Sequence, residues 1–171
     1  KIDREGSDRE GVGTEWCGVG LQPEDWGGET IFCDVSAKQS EGLEHLLDMS
    51  LLVAEVEELK GNPSSEASGT VIESQLDPGR GPVATLLVQR GGLKIGDAMA
   101  AGSQWGRVRA MNDYNGNKLT EAELGAPVEV LGVDGGPDAG NTFRVVETDR
   151  IARQQAADRA AQTIQAVKMT A

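Results

Sequence analysis

The run Gly79–Asp97 constrains the fold more than any other part of the chain. It opens with Gly-Arg-Gly-Pro, continues through Val83-Ala84-Thr85-Leu86-Leu87-Val88, breaks at Arg90-Gly91-Gly92 and leaves through Leu93-Lys94-Ile95-Gly96-Asp97. A largely apolar run between two turn signals predicts a strand buried on both faces, then a tight turn and a short basic segment. The same punctuation recurs on either side. Strands are expected near 69–76, 82–90, 97–102, 105–112, 127–133 and 142–147, each bounded by Gly, Asn-Gly or Pro. Asn115-Gly116 and Gly135-Gly136-Pro137 are the strongest turn signals among them. Several short strands with frequent turns argue a small closed antiparallel β-barrel, because closure removes the edges an open sheet would expose. With 38% apolar and only 4% aromatic residues, its core must be built from Val, Leu and Ala.

The flanks read differently. Residues 4–29 are rich in glycine and acid and show little periodicity, which predicts loop with at most a helical turn at Thr14–Cys17. Ile31–Val35 is a β-prone run that leads into Ser36-Ala37-Lys38. After Ser40, the residues Leu43, Leu46, Leu47, Val53 and Val56 recur at helical spacing, with Gly61-Asn62-Pro63 as the stop. Gly61–Ser68 has a linker's composition. From Thr148 the chain is rich in Ala, Gln and Arg, which predicts a helix capped by Thr148 or Asp149. It carries too few large apolar residues to fold alone and is expected to extend from the barrel as a connector. The organisation expected is therefore 1–60, a linker at 61–68, a barrel at 69–147 and a helical connector at 148–171.

Charge is unevenly placed. The net charge is −12, and residues 1–68 hold 16 acidic against 5 basic side chains. Within 80–109, Arg80, Arg90, Lys94, Arg107 and Arg109 face Asp97 alone. Such a chain does not coat nucleic acid indiscriminately, so DNA is not an expected partner, but one basic face can still meet a phosphate backbone. No apolar run approaches the roughly 18 residues of a membrane span. Cys17 and Cys33 match neither a disulfide framework nor a zinc pattern. His45 has no catalytic partner at a recognisable spacing, and Trp16, Trp26 and Trp105 read as packing residues.

Gly-Arg-Gly-Pro, the Val-Gln-Arg-Gly-Gly turn and Leu-Lys-Ile-Gly-Asp resemble the second-domain barrel of translational GTPases. Pro-Glu-Asp-Trp-Gly-Gly at 23–28, Val-Ser-Ala-Lys at 35–38 and Leu-Leu-Val-Ala-Glu at 51–55 extend the resemblance to the family of bacterial-type translation initiation factor two. Lys1-Ile2-Asp3 and Ser36-Ala37-Lys38 then fit that family's guanine-reading elements, Asn-Lys-x-Asp without its Asn and Ser-Ala-Lys. The chemistry suits them: guanine presents two adjacent N–H donors that one carboxylate can accept together. The resemblance gives that carboxylate to Asp3, a stem stacked on the base to Lys1 and a backbone donor to Ala37. Ser36 and Lys38 complete the second loop.

The resemblance also implies a chain made of the end of a P-loop GTPase α/β domain, the whole barrel and the start of a helical connector. The phosphate loop, both switches and the initiator-tRNA-binding domain would lie outside it. A parent factor would use GTP or GDP with Mg²⁺, and this piece would neither hold the nucleotide tightly nor turn it over. Expected partners are the small ribosomal subunit and its rRNA, met through Arg80, Arg90, Lys94, Arg107 and Arg109. Initiator tRNA would be reached through the absent domain. The setting would be bacterial cytoplasm, or an organelle matrix or stroma. Two rivals share the barrel: a free-standing protein-interaction module and the barrel of an elongation-type GTPase. Within the resemblance, Gly11–Gly20 carries more glycine than the helix the family usually places there.

Overall fold

The computed structural model describes residues 1–170, with side chains described through Gln165. The chain divides into two compact units, Lys1–Lys60 and Gly61–Ala171.

In the first unit, α1 is an α-helix over Arg9–Gly18, where the sequence led us to expect loop. Asp8 caps it, its Oδ1 accepting the Gly11 N–H at 2.9 Å. Gly13 serves here as a point of close approach rather than as a breaker: a Cβ at this position would lie 2.8 Å from the Trp26 ring. Trp26 ends a 3₁₀ turn at Glu24–Trp26. The run Ile31–Val35 enters no strand ladder, a second departure from expectation. A ladder needs a neighbour, and around this segment the structure provides only the isolated bridges Pro23–Thr30 and Ser36–Glu41. Helix α2 covers Leu43–Val56, with Gly42 as its N-cap. It stops short of Gly61-Asn62-Pro63, and Glu58 has already left the helix at a φ of +46°.

The second unit contains the barrel. Its strands are β1 (Ser68–Asp77), β2 (Gly81–Arg90), β3 (Leu93–Lys94), β4 (Ala98–Ala101), β5 (Gln104–Asn112), β6 (Lys118–Leu119), β7 (Glu121–Ala122), β8 (Pro127–Val133) and β9 (Thr142–Val146). The main sheet runs β4-β9-β1-β2-β8-β5-β6, and a further β4–β5 pairing closes six of these strands into a ring. All of its pairings are antiparallel. Val71, Leu86, Val88, Leu93, Met99, Val108, Met111, Val128, Val130 and Phe143 fill the interior. Phe143 is the one fully buried aromatic side chain among the described residues. β2 is more deeply buried on its inner face, at Ala84, Leu86 and Val88, than on its outer face, where Val83 is buried but Thr85 and Leu87 stay partly exposed. The reason is that an antiparallel barrel keeps one face of each strand toward water.

The two short pairs β3–β7 and β5–β6 were not expected from sequence. Residues 61–67 pack onto this unit: Ala67 is buried, and the Gly91 N–H donates to Asn62 O at 3.0 Å.

Helix α3 spans Asp149–Thr170. Thr148 caps it, its Oγ1 accepting the Ile151 N–H at 3.3 Å. Position 171 of the expected connector lies outside the described residues. The first turns of α3 do not simply project from the barrel, because Ala152 and Ala156 are fully buried. Register explains how. On the outer face, Ala98 lies between Arg107 and Val146, and Ala100 lies between Trp105 and Arg144. The two alanines therefore floor a trough walled by larger residues, and α3 can lie close against them.

Candidate functional site

Ser36 is the one buried polar side chain among the described residues. Its hydroxyl donates to Asp3 Oδ1 at 2.6 Å and accepts the Gln39 N–H at 3.2 Å. Ser36 and Glu41 exchange both backbone hydrogen bonds at 3.0 Å, so residues 37–40 form a pinched loop with Ala37 and Lys38 exposed at its tip. The first residues are tied to the same place, since the Ile2 N–H donates to Val35 O at 3.2 Å. The structure thus brings Lys1, Asp3, Ser36, Ala37 and Lys38 together from segments more than thirty residues apart.

The electrostatics follow from these bonds. The Ser36 hydroxyl holds the Asp3 carboxyl below the usual carboxylate range, against a smaller opposing effect of desolvation. Asp3 Oδ2 and the Ala37 N–H have no hydrogen-bond partner among the described residues. A fixed carboxylate with a free oxygen, beside a free backbone donor, matches a planar ligand edge that offers N–H groups next to a carbonyl.

The five cations of the basic stretch are not gathered in one place. Arg80 precedes β2 and Arg90 ends it, which separates them by roughly 30 Å at strand rise. Lys94 lies beyond that far end, so Arg80 shares no rim with it. Arg80 is also engaged. It bonds Asp77 at 3.1 Å and meets Glu129, while the Asp77 carboxylate accepts the Arg80 and Gly79 N–H groups. Those bonds, with the backbone ones foremost, hold Asp77 below its ordinary range. Lys94 lies 3.5 Å from Glu121. Arg107 and Arg109 do share the outer face of β5, as alternation requires. Arg107, however, donates to Gly96 O and to Asp149 Oδ1, at 2.9 Å in the second case, which ties β5 to the start of α3. Among the described residues, only Arg90 and Arg109 of the five are in no ion pair.

Arg109 gains its position from a bulge. The β5–β8 register shifts between Gly106 and Ala110, and Gly132 opposite has a φ of +119°. A Cβ on Gly132 would lie 2.0 Å from Arg107 O and 2.9 Å from Arg109 Cγ. The carboxylates that engage these cations were not anticipated. Asp77 was legible in principle, because Asp-Pro-Gly-Arg places it three residues before Arg80. Glu129 and Asp149 carried no local signal.

The family description "Elongation factor G domain 2" matches residues 66–146, which puts this six-stranded barrel in the translation-factor class. Over 156 residues the chain is 55% identical to translation initiation factor IF-2 of Rubrobacter xylanophilus, covering 91% of this chain and 23% of that protein. Against IF-2 of Geobacillus kaustophilus it is 51% identical over 165 residues, covering 96% and 23%. GDP-bound aIF5B from Aeropyrum pernix shares the fold, with a TM-score of 0.68 at 20% identity over 89% of this chain and 29% of that one. The chain belongs to the bacterial-type translation initiation factor IF-2 family, and it spans less than a quarter of the length of these relatives.

Proposed function

We propose that this chain is the segment of a GTP-dependent initiation factor that reads the guanine base and carries the ribosome-docking barrel. The contact between Asp3 and Ser36 carries the reading: it orients the carboxylate and leaves lone pairs on both oxygens for the two N–H groups of the base. Lys1 supplies a stem able to cover the base, and the Ala37 N–H is placed to meet its carbonyl. The phosphates and their Mg²⁺ are the business of other parts of the whole factor, which hydrolyses GTP while placing initiator tRNA on the small subunit. The setting is the bacterial cytoplasm or an organelle matrix. Docking on rRNA rests on the exposed cations of the barrel, with Arg90 and Arg109 carrying the contact because neither is engaged by a carboxylate.

Nucleotide selectivity in the full-length factor tests the reading. Asp3→Asn replaces an acceptor-only group with one donor and one acceptor, so it should bind GDP at least tenfold more weakly and prefer xanthosine diphosphate, whose edge has a carbonyl in place of the amino group. Unchanged GDP selectivity would remove the guanine reading. Independently, Arg90→Glu with Arg109→Glu should weaken small-subunit binding and flatten its salt dependence.

A further inference from the structure

Beyond the five cations of the basic stretch, two further arginines line the groove between α3 and β9. Thr142 and Arg144 share the outward face of β9. On α3, Gln155, Asp158, Arg159 and Gln162 stand at spacings of three and four, which places them on one side of the helix. These two polar faces border an open groove of about 330 Å³ that Ala100 and Gly102 also line. Arg144 and Arg159 line the same groove. Neither Arg144 nor Arg159 is in an ion pair among the described residues, and Asp158 already accepts Gln154 Nε2 at 2.9 Å.

We propose that this groove is a seat for a phosphate-type oxyanion. Two cations without an ion-pair partner that line one groove offer an anion charge-assisted hydrogen bonds. Gln155, Gln162 and Thr142 line the same groove and add neutral donors to the two arginines. Donors from both β9 and α3 suit the several acceptor oxygens of a phosphate-type oxyanion. Asp158 is the one opposing charge, and it keeps the seat weak. An adjoining recess of about 660 Å³ shares Gly102, Thr142 and Arg159 and runs on past Ser103 and Asn141. That polar room accepts the ester substituent of a phosphomonoester or phosphodiester. A bound oxyanion bridges β9 and α3 and so holds the helix to the barrel beyond Ala156.

The test titrates the full chain with inorganic phosphate at constant ionic strength, following the Nε–H resonances of its arginines by NMR. Arg144 and Arg159 should shift together and saturate in the millimolar range, while Arg150 and Arg153 stay still. Arg144→Gln and Arg159→Gln should each weaken binding about tenfold, as the loss of a charge-assisted hydrogen bond implies. Asp158→Asn should tighten binding several-fold. Both arginines are exposed, so these variants keep the fold, and unchanged amide exchange in 82–90 verifies it. Amides of 153–162 should exchange more slowly with phosphate present. A hexaribonucleotide as second ligand separates the sources: tighter binding at the same two arginines assigns the seat to an RNA backbone, and no advantage over phosphate assigns it to small phosphates. Shifts that fail to saturate, spread equally over all arginines, or survive both substitutions would overturn the proposal.

Discussion

In α2, Leu47, Leu51 and Val56 are exposed to 63%, 69% and 73%, whereas in β2 Leu86 and Val88 are exposed to 0%. Both segments have the residue types and the period of their element, and both form it. What differs is the partner. β2 is flanked by β1 and β8 and closes over a shared core, while α2 has no buried residue at all. The unit Lys1–Lys60 accordingly has elements but almost no interior: its fully buried residues are Gly13, Pro23 and Ser36. Local pattern suffices to specify an element, but burial decides how much that element stabilises.

Hydrogen exchange gives the largest contrast. Amides of β2 and β8 should open only with global unfolding of the barrel unit, and those of residues 5–30 should exchange orders of magnitude faster. Equal protection in the two units would break the comparison. Side-chain truncation sharpens it. Phe143→Ala should cost about 3–5 kcal/mol in denaturant unfolding of the barrel, whereas Leu51→Ala should stay within about 0.5 kcal/mol. A large loss from Leu51→Ala would mean that α2 is buried in solution.

A subtler effect distinguishes the one buried polar contact of the first unit. Asp3 has its folded pKa depressed by the Ser36 hydroxyl. Its contribution is therefore fully present above the unfolded value of about 3.9 and is lost as pH falls through the lower folded value. Ser36→Ala should raise the Asp3 midpoint toward that unfolded value in a carboxyl NMR titration, and an unmoved midpoint would deny the contact in solution. The smallest effect belongs to Asp149→Asn. It removes an exposed ion pair with Arg107 and should cost under about 1 kcal/mol, read as faster exchange in 150–156 with the rest of the barrel unchanged.

The main strands were legible because glycine, Asn-Gly and proline mark their ends and alternation marks their faces. Two-residue strands such as β3 and β7 are too short to display any period. α1 was hidden for another reason: its low apolar content and its glycines are compensated by Trp26 lying on Gly13, a tertiary contact. Ile31–Val35 shows the reverse, a β-prone run with no ladder to join. At the candidate site, the residue types could be read as two tripeptides. The bond that joins Asp3 to Ser36 spans 33 residues and could not. In the basic stretch, sequence proximity concealed the length of β2, which carries Arg80 and Arg90 to opposite ends.

The alanine trough gives α3 the mechanics of a lever. Its 22 residues extend about 33 Å at helical rise, yet Ala152 and Ala156 are its only fully buried residues among those described. The fulcrum is thus short and close to one end. From Ala156 to Thr170 the arm is about 21 Å, so a tilt of about 10° at the fulcrum swings the tip by roughly 4 Å. Adding a methyl group or two at Ala98 or Ala100 acts as a wedge beneath that fulcrum. A substitution nearly invisible in the barrel's own stability would be read out, magnified, at the far end of the helix.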